Sequence, residues 1–374
     1  MAKPRLTLPF SSRAFTHGML VGVSSMVLLA GWMGFQADQT ALRQSEKLAS
    51  KTALIDRQGS HIIVRNLEDA PSESALPSAP IAGLFEETPQ GKIPLARQED
   101  GLTPFDAYKR PFTPTPDKKP VALVFYDVGV SATQTQAVFN DFPEDVTLSL
   151  VPDLTNAADI SAQARRKGHE VWLSLPIQTD QFPQTDLGPQ TILKNAAPSQ
   201  IKERLFTSLG KISGYTGIIT PPDHVFLESD TAFMPWTSEI FGRGLAIVDS
   251  RQDRPFFATA LAQKNDYPYA QAQVYLSPDM PPQDIKQALA EAERMALSGT
   301  GVIILSAPAP LHLKYLKAWV GMMGNKPLQL APLSALMTVT PPAETTVPSP
   351  SPDVTQTSAP TSVPVPETPA PVTP

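Results

Sequence analysis

Few side chains in this sequence can do chemistry, and those few fall at regular places. Asp127 follows Tyr126 near the end of an apolar run, VALVFYDVG. Ser174 lies near the end of another, EVWLSLPI, and Asp223 and His224 follow IITPP. Asp249 and Arg251 close the run LAIVDSR. Carboxylates and an imidazole are donors for a divalent cation, so Asp127, Asp223 and His224 are candidate metal ligands. Asp127 and Asp249 are the candidate catalytic carboxylates. Arg251 is a candidate for hydrogen-bonding a polar ligand, and Trp236 for stacking on a ligand's flat face. Each has a plainer reading. Asp249 and Arg251 either line a groove or pair with each other or a neighbour and stiffen a corner. Asp223 and His224 either meet a ligand or open a solvated loop.

Other chemistries find no support. The chain has no cysteine, which removes disulfides, thiol catalysis and Cys-based zinc sites. No Gly-x-Ser-x-Gly elbow and no Gly-rich phosphate loop is present. The formal charge of −6 comes without a basic run, which argues against nucleic acid as a partner.

Those residues need strands to place them. From 120 to 338 the sequence alternates β-branched runs with helical ones. The strand runs are Val121–Gly129, Val146–Pro152, Glu170–Ile177, Thr216–Pro222, Leu245–Ser250, Ala270–Leu276 and Gly301–Pro308. Helical runs follow each, the clearest being Pro282–Ser298. Near-continuous apolar character suits buried parallel strands. Seven βα units predict an α/β fold, a distorted seven-stranded barrel, with a doubly wound open sheet as runner-up. In a barrel the chemistry sits at the strand C-termini, where Asp127, Ser174, Asp223 and Asp249 all fall. His169, before a strand, falls at the opposite end and suggests stability. His312 suggests a surface role, and Trp172 and Trp319 suggest core.

The ordered strings VFYDVG, EVWLSLPI, IITPPDH, IVDSR and ILSAPAP resemble the divergent polysaccharide deacetylase family, over about Lys119 to Met337. The family shows a double Asp after its first strand and His-Leu-Pro-Met after its third. It shows Asn-Asn-His-Met-Gly-Ser after its fourth, Asp-Ser after its fifth and Gly-His-Pro after its seventh. The resemblance implies a barrel related to carbohydrate deacetylases. It also implies a metal held by a carboxylate and histidines, whose bound water attacks an acetamide. This sequence departs where that chemistry resides. Tyr126 replaces the first Asp, Ser174, Pro221 and Ala307 replace histidines, and Ser277 replaces an acidic residue. Proline and alanine side chains neither ligate metals nor carry protons. Losing members of such a set costs orders of magnitude in rate. The expectation is a weak or inactive enzyme that binds an envelope glycan or an envelope protein. No cofactor is expected, and zinc only if Asp127, Asp223 and His224 form a rearranged site. The alternative is an active metal-dependent polysaccharide N-deacetylase with that rearranged site.

The flanks are of another kind. Met19 to Phe35 is apolar and follows Lys3, Arg5 and Arg13, which predicts a cytoplasmic tip and a single-pass inner-membrane anchor over 1–37. That orientation places the main domain in the periplasm. A cleaved signal peptide is the rival. Residues 38–119 read as a Pro-rich linker, with a short helix near Thr40–Leu54 and a short strand at His61–Val64. Residues 339–374 read as a disordered tail, and 341–374 hold 11 prolines without one Lys, Arg or aromatic residue.

Overall fold

In the computed structural model, residues 74–225, 230–250 and 258–337 are described. The anchor, the Thr40–Leu54 helix, the His61–Val64 strand, Arg251 and the 339–374 tail lie outside the described residues. No helix among the described residues is long and apolar enough to cross a membrane.

An antiparallel hairpin comes first, β1 (Phe85–Thr88) and β2 (Gly91–Pro94), then the short helix α1 (Pro104–Tyr108). Then strand and helix alternate: β3 (Lys119–Val128), α2 (Ala132–Asp141), β4 (Thr147–Leu150), α3 (Ala157–Arg166), β5 (Val171–Ser174), α4 (Pro198–Leu209). There follow β6 (Gly217–Ile219), α5 (Asp230–Gly242), β7 (Ala246–Asp249), α6 (Ala258–Asn265), β8 (Tyr269–Gln271) and β9 (Val274–Leu276). The last elements are α7 (Pro282–Ser298), β10 (Val302–Ser306), α8 (Pro310–Met322) and β11 (Leu328–Leu330). The helices arise where the sequence caps and patterns them. Ser131 accepts a bond from the Gln134 amide at the start of α2. Ile285, Leu289, Ala292 and Ala296 form a buried stripe at helical spacing on α7.

The main sheet is parallel, in the order β8-β7-β6-β5-β4-β3-β10-β9, with β11 beside the start of β3. Its two end strands are consecutive pieces of one run. β8 pairs with β7 and β9 pairs with β10, with only Ala272 and Gln273 between them. The Ala272 amide donates to the Asp249 carbonyl at 2.8 Å, and the Gln273 amide donates to the Ile303 carbonyl at 3.2 Å. Ile303 N–H donates back to Gln273 Oε1 at 2.8 Å. The sheet therefore curls on itself rather than lying open. The expected count of seven strands is corrected to eight along this path. The break at Ala272-Gln273 carries no Gly or Pro, so the sequence reads as one unbroken strand.

Alternation along the strands separates two apolar layers. Val121, Leu123, Phe125, Leu148, Leu173, Ile218, Ile247 and Ile304 pack with helix residues such as Ile285 and Leu316. Their neighbours Ala122, Val124, Trp172, Ile219, Ala246, Val248, Ile303 and Leu305 pack with one another inside the curl. Trp172 has room there because residue 217 is glycine. A Cβ on Gly217 would sit 2.5 Å from the Trp172 ring and 2.4 Å from the Ala246 carbonyl oxygen.

The end holding the strand N-termini is plugged. Leu333 and Met337 join the inner cluster there. The stretch from 74 to 119 is not a free linker, which corrects that part of the sequence reading. Leu84 and Ile93 are fully buried, and Tyr108 nearly so. The Arg165 guanidinium donates to the carbonyls of Pro77, Tyr108 and Gly214 at 2.7–3.1 Å. Burial lowers its pKa to about 10. The segment is rich in proline, yet it carries enough apolar anchors to repay its ordering.

Candidate functional site

The opposite end, where the strands finish, holds the side chains with chemical potential. β3 positions two of them. Its register against β4 shifts between Phe125 and Val128, and Asp127 has φ of 57°. A left-handed aspartate is tolerated better than most residues, at a cost of about 1 kcal/mol. That twist takes Asp127 out of the pleat and beside Ser174 at the end of β5. The Asp127 amide donates to Ser174 Oγ at 3.3 Å. Ser149, on the inner face of β4, lies 2.8 Å from Ser174 Oγ, hydroxyl to hydroxyl. Burial pushes the Asp127 carboxyl up to about 6, and a hydrogen bond from Ser174 pulls weakly the other way.

Tyr126 continues the inner layer above Ala122 and Val124, and Tyr275 of β9 meets it across the curl. Their hydroxyls are 2.7 Å apart and their ring centroids 5.7 Å apart. Both phenols are pushed up, first by burial, with the nearby Asp127 and Asp223 carboxylates adding to it. Tyr126, Asp127, Ser174, Asp223 and Tyr275 all keep partial exposure, so this end is a mouth.

The other candidates are elsewhere. Asp249 falls on the outward register of β7, next to Val248 of the inner layer. It is fully buried, and its Oδ1 meets His224 Nε2 at 2.9 Å and accepts from Thr220 Oγ1 at 3.2 Å. The Ser250 amide donates to Thr220 Oγ1 at 3.1 Å. His224 is fully buried and bridges to Thr179 across a short antiparallel contact. This imidazole is neither solvated nor turned toward Asp127. As a candidate catalytic carboxylate, Asp249 is a correction, because the outward register of β7 buries it against Thr220 and His224. Trp236 is another: it is 1% exposed within the sheet–helix core and presents no face to a sugar. His312 is not on the surface either. It is fully buried, and its Nδ1 lies 2.9 Å from Ser306 Oγ at the end of β10. His169 is a core histidine at the plugged end, bonded to the Val146 carbonyl at 2.8 Å and lowered by burial to about 4.

The set Asp127, Asp223 and His224 does not suit a divalent cation. His224 gives Nε2 to Asp249, and Asp127 is flanked by neutral hydroxyls. Among the described residues no three His, Cys, Asp or Glu side chains are placed to hold a metal ion. A Zn²⁺ or similar ion needs three or four such donors at about 2 Å. The sequence reading missed Tyr275 and the Ser149–Ser174 contact. Their signal was present as alternation: Ser149 and Ser174 occupy the inward register, and Tyr275 stands two residues past the strand break at Ala272-Gln273.

No curated protein matches the chain. A solved structure of an uncharacterized protein from Agrobacterium tumefaciens superposes with a TM-score of 0.62 at 28% identity, covering 66% of this chain and 99% of that one. A protein from Enterococcus faecalis described as a cellobiose-phosphate cleavage protein gives a TM-score of 0.44 at 12% identity, covering 59% and 100%. The sequence pattern of the divergent polysaccharide deacetylase family matches residues 123–337. The chain belongs to that family.

Proposed function

We propose that this member of the divergent polysaccharide deacetylase family serves envelope carbohydrate metabolism as a glycan-binding barrel with little or no deacetylase activity. The observation that supports this is the donor set at the mouth. Among the described residues the mouth carries two carboxylates, Asp127 beside the Ser174 hydroxyl, which is itself bonded to Ser149, and Asp223, with the paired phenols of Tyr126 and Tyr275 alongside. Hydroxyls and carboxylates bind sugar hydroxyls, and the neutral hydroxyls beside Asp127 do not supply the three or four donors that a catalytic cation needs. The positions where the family resemblance implies histidines carry Ser174, Pro221 and Ala307. The apolar run Met19–Phe35 with its basic lead anchors the chain in the inner membrane and sets the barrel in the periplasm. An envelope protein is the second class of partner for the same mouth.

A second reading has one observation in its favour. Asp127 is held in a strained conformation with its carboxyl raised to about 6, which is how general bases are tuned. The full chain decides between them. Incubated with zinc and dialysed, it should retain no stoichiometric metal, bind chitooligosaccharide or peptidoglycan fragments, and release no acetate from them. Bound zinc that disappears in Asp127→Ala, together with acetate release, would establish the hydrolase instead.

A further inference from the structure

The ladder between β3 and β4 is broken at the mouth. Phe125 faces Leu148 and Val128 faces Leu150. Two residues of β3, Tyr126 and Asp127, therefore stand opposite one residue of β4, Ser149. That is a β-bulge, an arrangement that re-aims a side chain by giving up regular pairing. The Asp127 backbone is left-handed there, with φ of 57°. Such a conformation persists only where its surroundings hold it.

The hold runs through the backbone amide. Asp127 N–H donates to Ser174 Oγ at 3.3 Å, and Ser174 Oγ lies 2.8 Å from Ser149 Oγ. A serine hydroxyl turns among three staggered wells about χ1. One proton joining the two serine oxygens keeps Ser174 in the well that faces the Asp127 amide. Ser149 is fully buried and pairs with Trp172 of the inner layer, so its hydroxyl gains by staying bonded. The carboxylate at the plugged end is fixed in another way, through its own oxygens. Glu170 accepts from Trp172 Nε1 at 2.7 Å, from the Ser334 amide at 3.0 Å, from the Arg110 amide at 2.9 Å and from Ser334 Oγ. Four donors fill the four lone-pair sites of a carboxylate.

We infer that Ser149 is a positioning residue of the mouth: through Ser174 it latches Asp127 in the left-handed conformation that presents its carboxylate to a sugar. This rests on the reading that the mouth binds glycan. Ser149 lies below the surface and acts on a ligand only through Ser174 and Asp127.

The test is a double-mutant cycle, read by titration calorimetry of chitooligosaccharide into the full chain in detergent. Ser149→Ala should weaken binding about five- to tenfold, as expected for one lost buried hydrogen bond. Asp127→Ala should weaken it at least as much. In the Asp127→Ala background Ser149→Ala should cost nothing further, because the latch then holds no carboxylate. Ser161→Ala removes another buried serine bond, from Ser161 Oγ to the Ser213 carbonyl at 3.0 Å, and should leave the affinity unchanged. Unfolding without ligand supplies a second readout. Asp127→Asn should gain melting temperature on its parent as pH rises from 4 to 7. That gain should shrink in the Ser149→Ala background, where the carboxyl relaxes toward water. Parent-like affinity in Ser149→Ala, or a loss that recurs undiminished beside Asp127→Ala, overturns the inference and leaves the glycan reading standing. A pH-dependent gain that Ser149→Ala leaves unaltered overturns it as well. If the unchanged chain binds no chitooligosaccharide, the glycan reading fails and the unfolding readout alone decides the latch.

Discussion

The plugged end of the barrel and its mouth are built from the same strands, and they treat buried charge in opposite ways. Glu170 opens the segment that enters β5, and Ser174 closes β5 beside Asp127. Burial pushes both carboxyls up. Glu170 is answered by four donors from β5, from the segment before β3 and from the C-terminal turn, so it knots three distant parts of the chain together. Asp127, among the described residues, has the Ser174 hydroxyl alone beside it. A buried carboxylate that is fully bonded stiffens a fold, whereas one left short of donors is held ready for something from outside. The difference separates structure from function without any appeal to which residue is more buried.

The largest effect that sharpens this contrast should come from Glu170→Ala. It strands the Trp172 indole N–H and the Arg110 and Ser334 amides in a dry interior. At about 1–3 kcal/mol for each unsatisfied donor, the loss should be roughly 4 kcal/mol in denaturant unfolding. A loss below about 1 kcal/mol would mean that water reaches the plugged end and that the knot is loose. Next comes Gly217→Ala, which drives a methyl into Trp172 and the Ala246 carbonyl. Overpacking of that kind costs about 1–3 kcal/mol and should lower the melting temperature by several degrees. The same substitution should leave ligand affinity at the mouth unchanged.

Asp127→Asn should have the smallest effect on the fold, under about 1 kcal/mol near pH 5. Its signature is the pH profile. The Asp127 carboxyl is held up at about 6, above the roughly 3.9 of an unfolded chain. The native state therefore holds this proton more tightly than the unfolded state does. The stability it contributes is complete below about pH 4 and is lost as pH rises through 6. Melting temperatures of the two proteins across pH 4–7 should show the variant gaining on the parent as pH rises. Parallel curves would mean that Asp127 is solvated and that the mouth is not the counterpart of the plugged end.

Much of the fold was legible in the sequence because it is local. The apolar runs became strands, and helices such as Pro282–Ser298 fell where the 3.6-residue period placed them. The mouth was legible to the same extent. Runs ending in Asp127, Ser174 and Asp249 pointed to one end of a barrel, and the strings that carry the family resemblance lie there. Pairings were not legible. His224 and Asp249 were both singled out, but nothing in their spacing of 25 residues says that they bond to each other on the outward side of β7. Trp236 was misread because a tryptophan after a proline looks the same whether its helix turns it to core or to solvent. The proline-rich stretch before β3 was misread because composition reports average solvation. Four or five well-placed apolar residues and the Arg165 contacts outweigh that average.

By itself the sequence determined the order of elements and which chemical groups stand at the strand ends, because periodicity and residue type are properties of neighbours along the chain. Only the tertiary structure decided which groups meet. The bulge and left-handed turn at Asp127 bring it to Ser174, and the break at Ala272-Gln273 carries Tyr275 across to Tyr126. The outward register of Asp249 removes His224 from the mouth. Such meetings depend on register and curvature, which arise when strands far apart in sequence pair, and a one-residue change in register would send each side chain to the other face of the sheet.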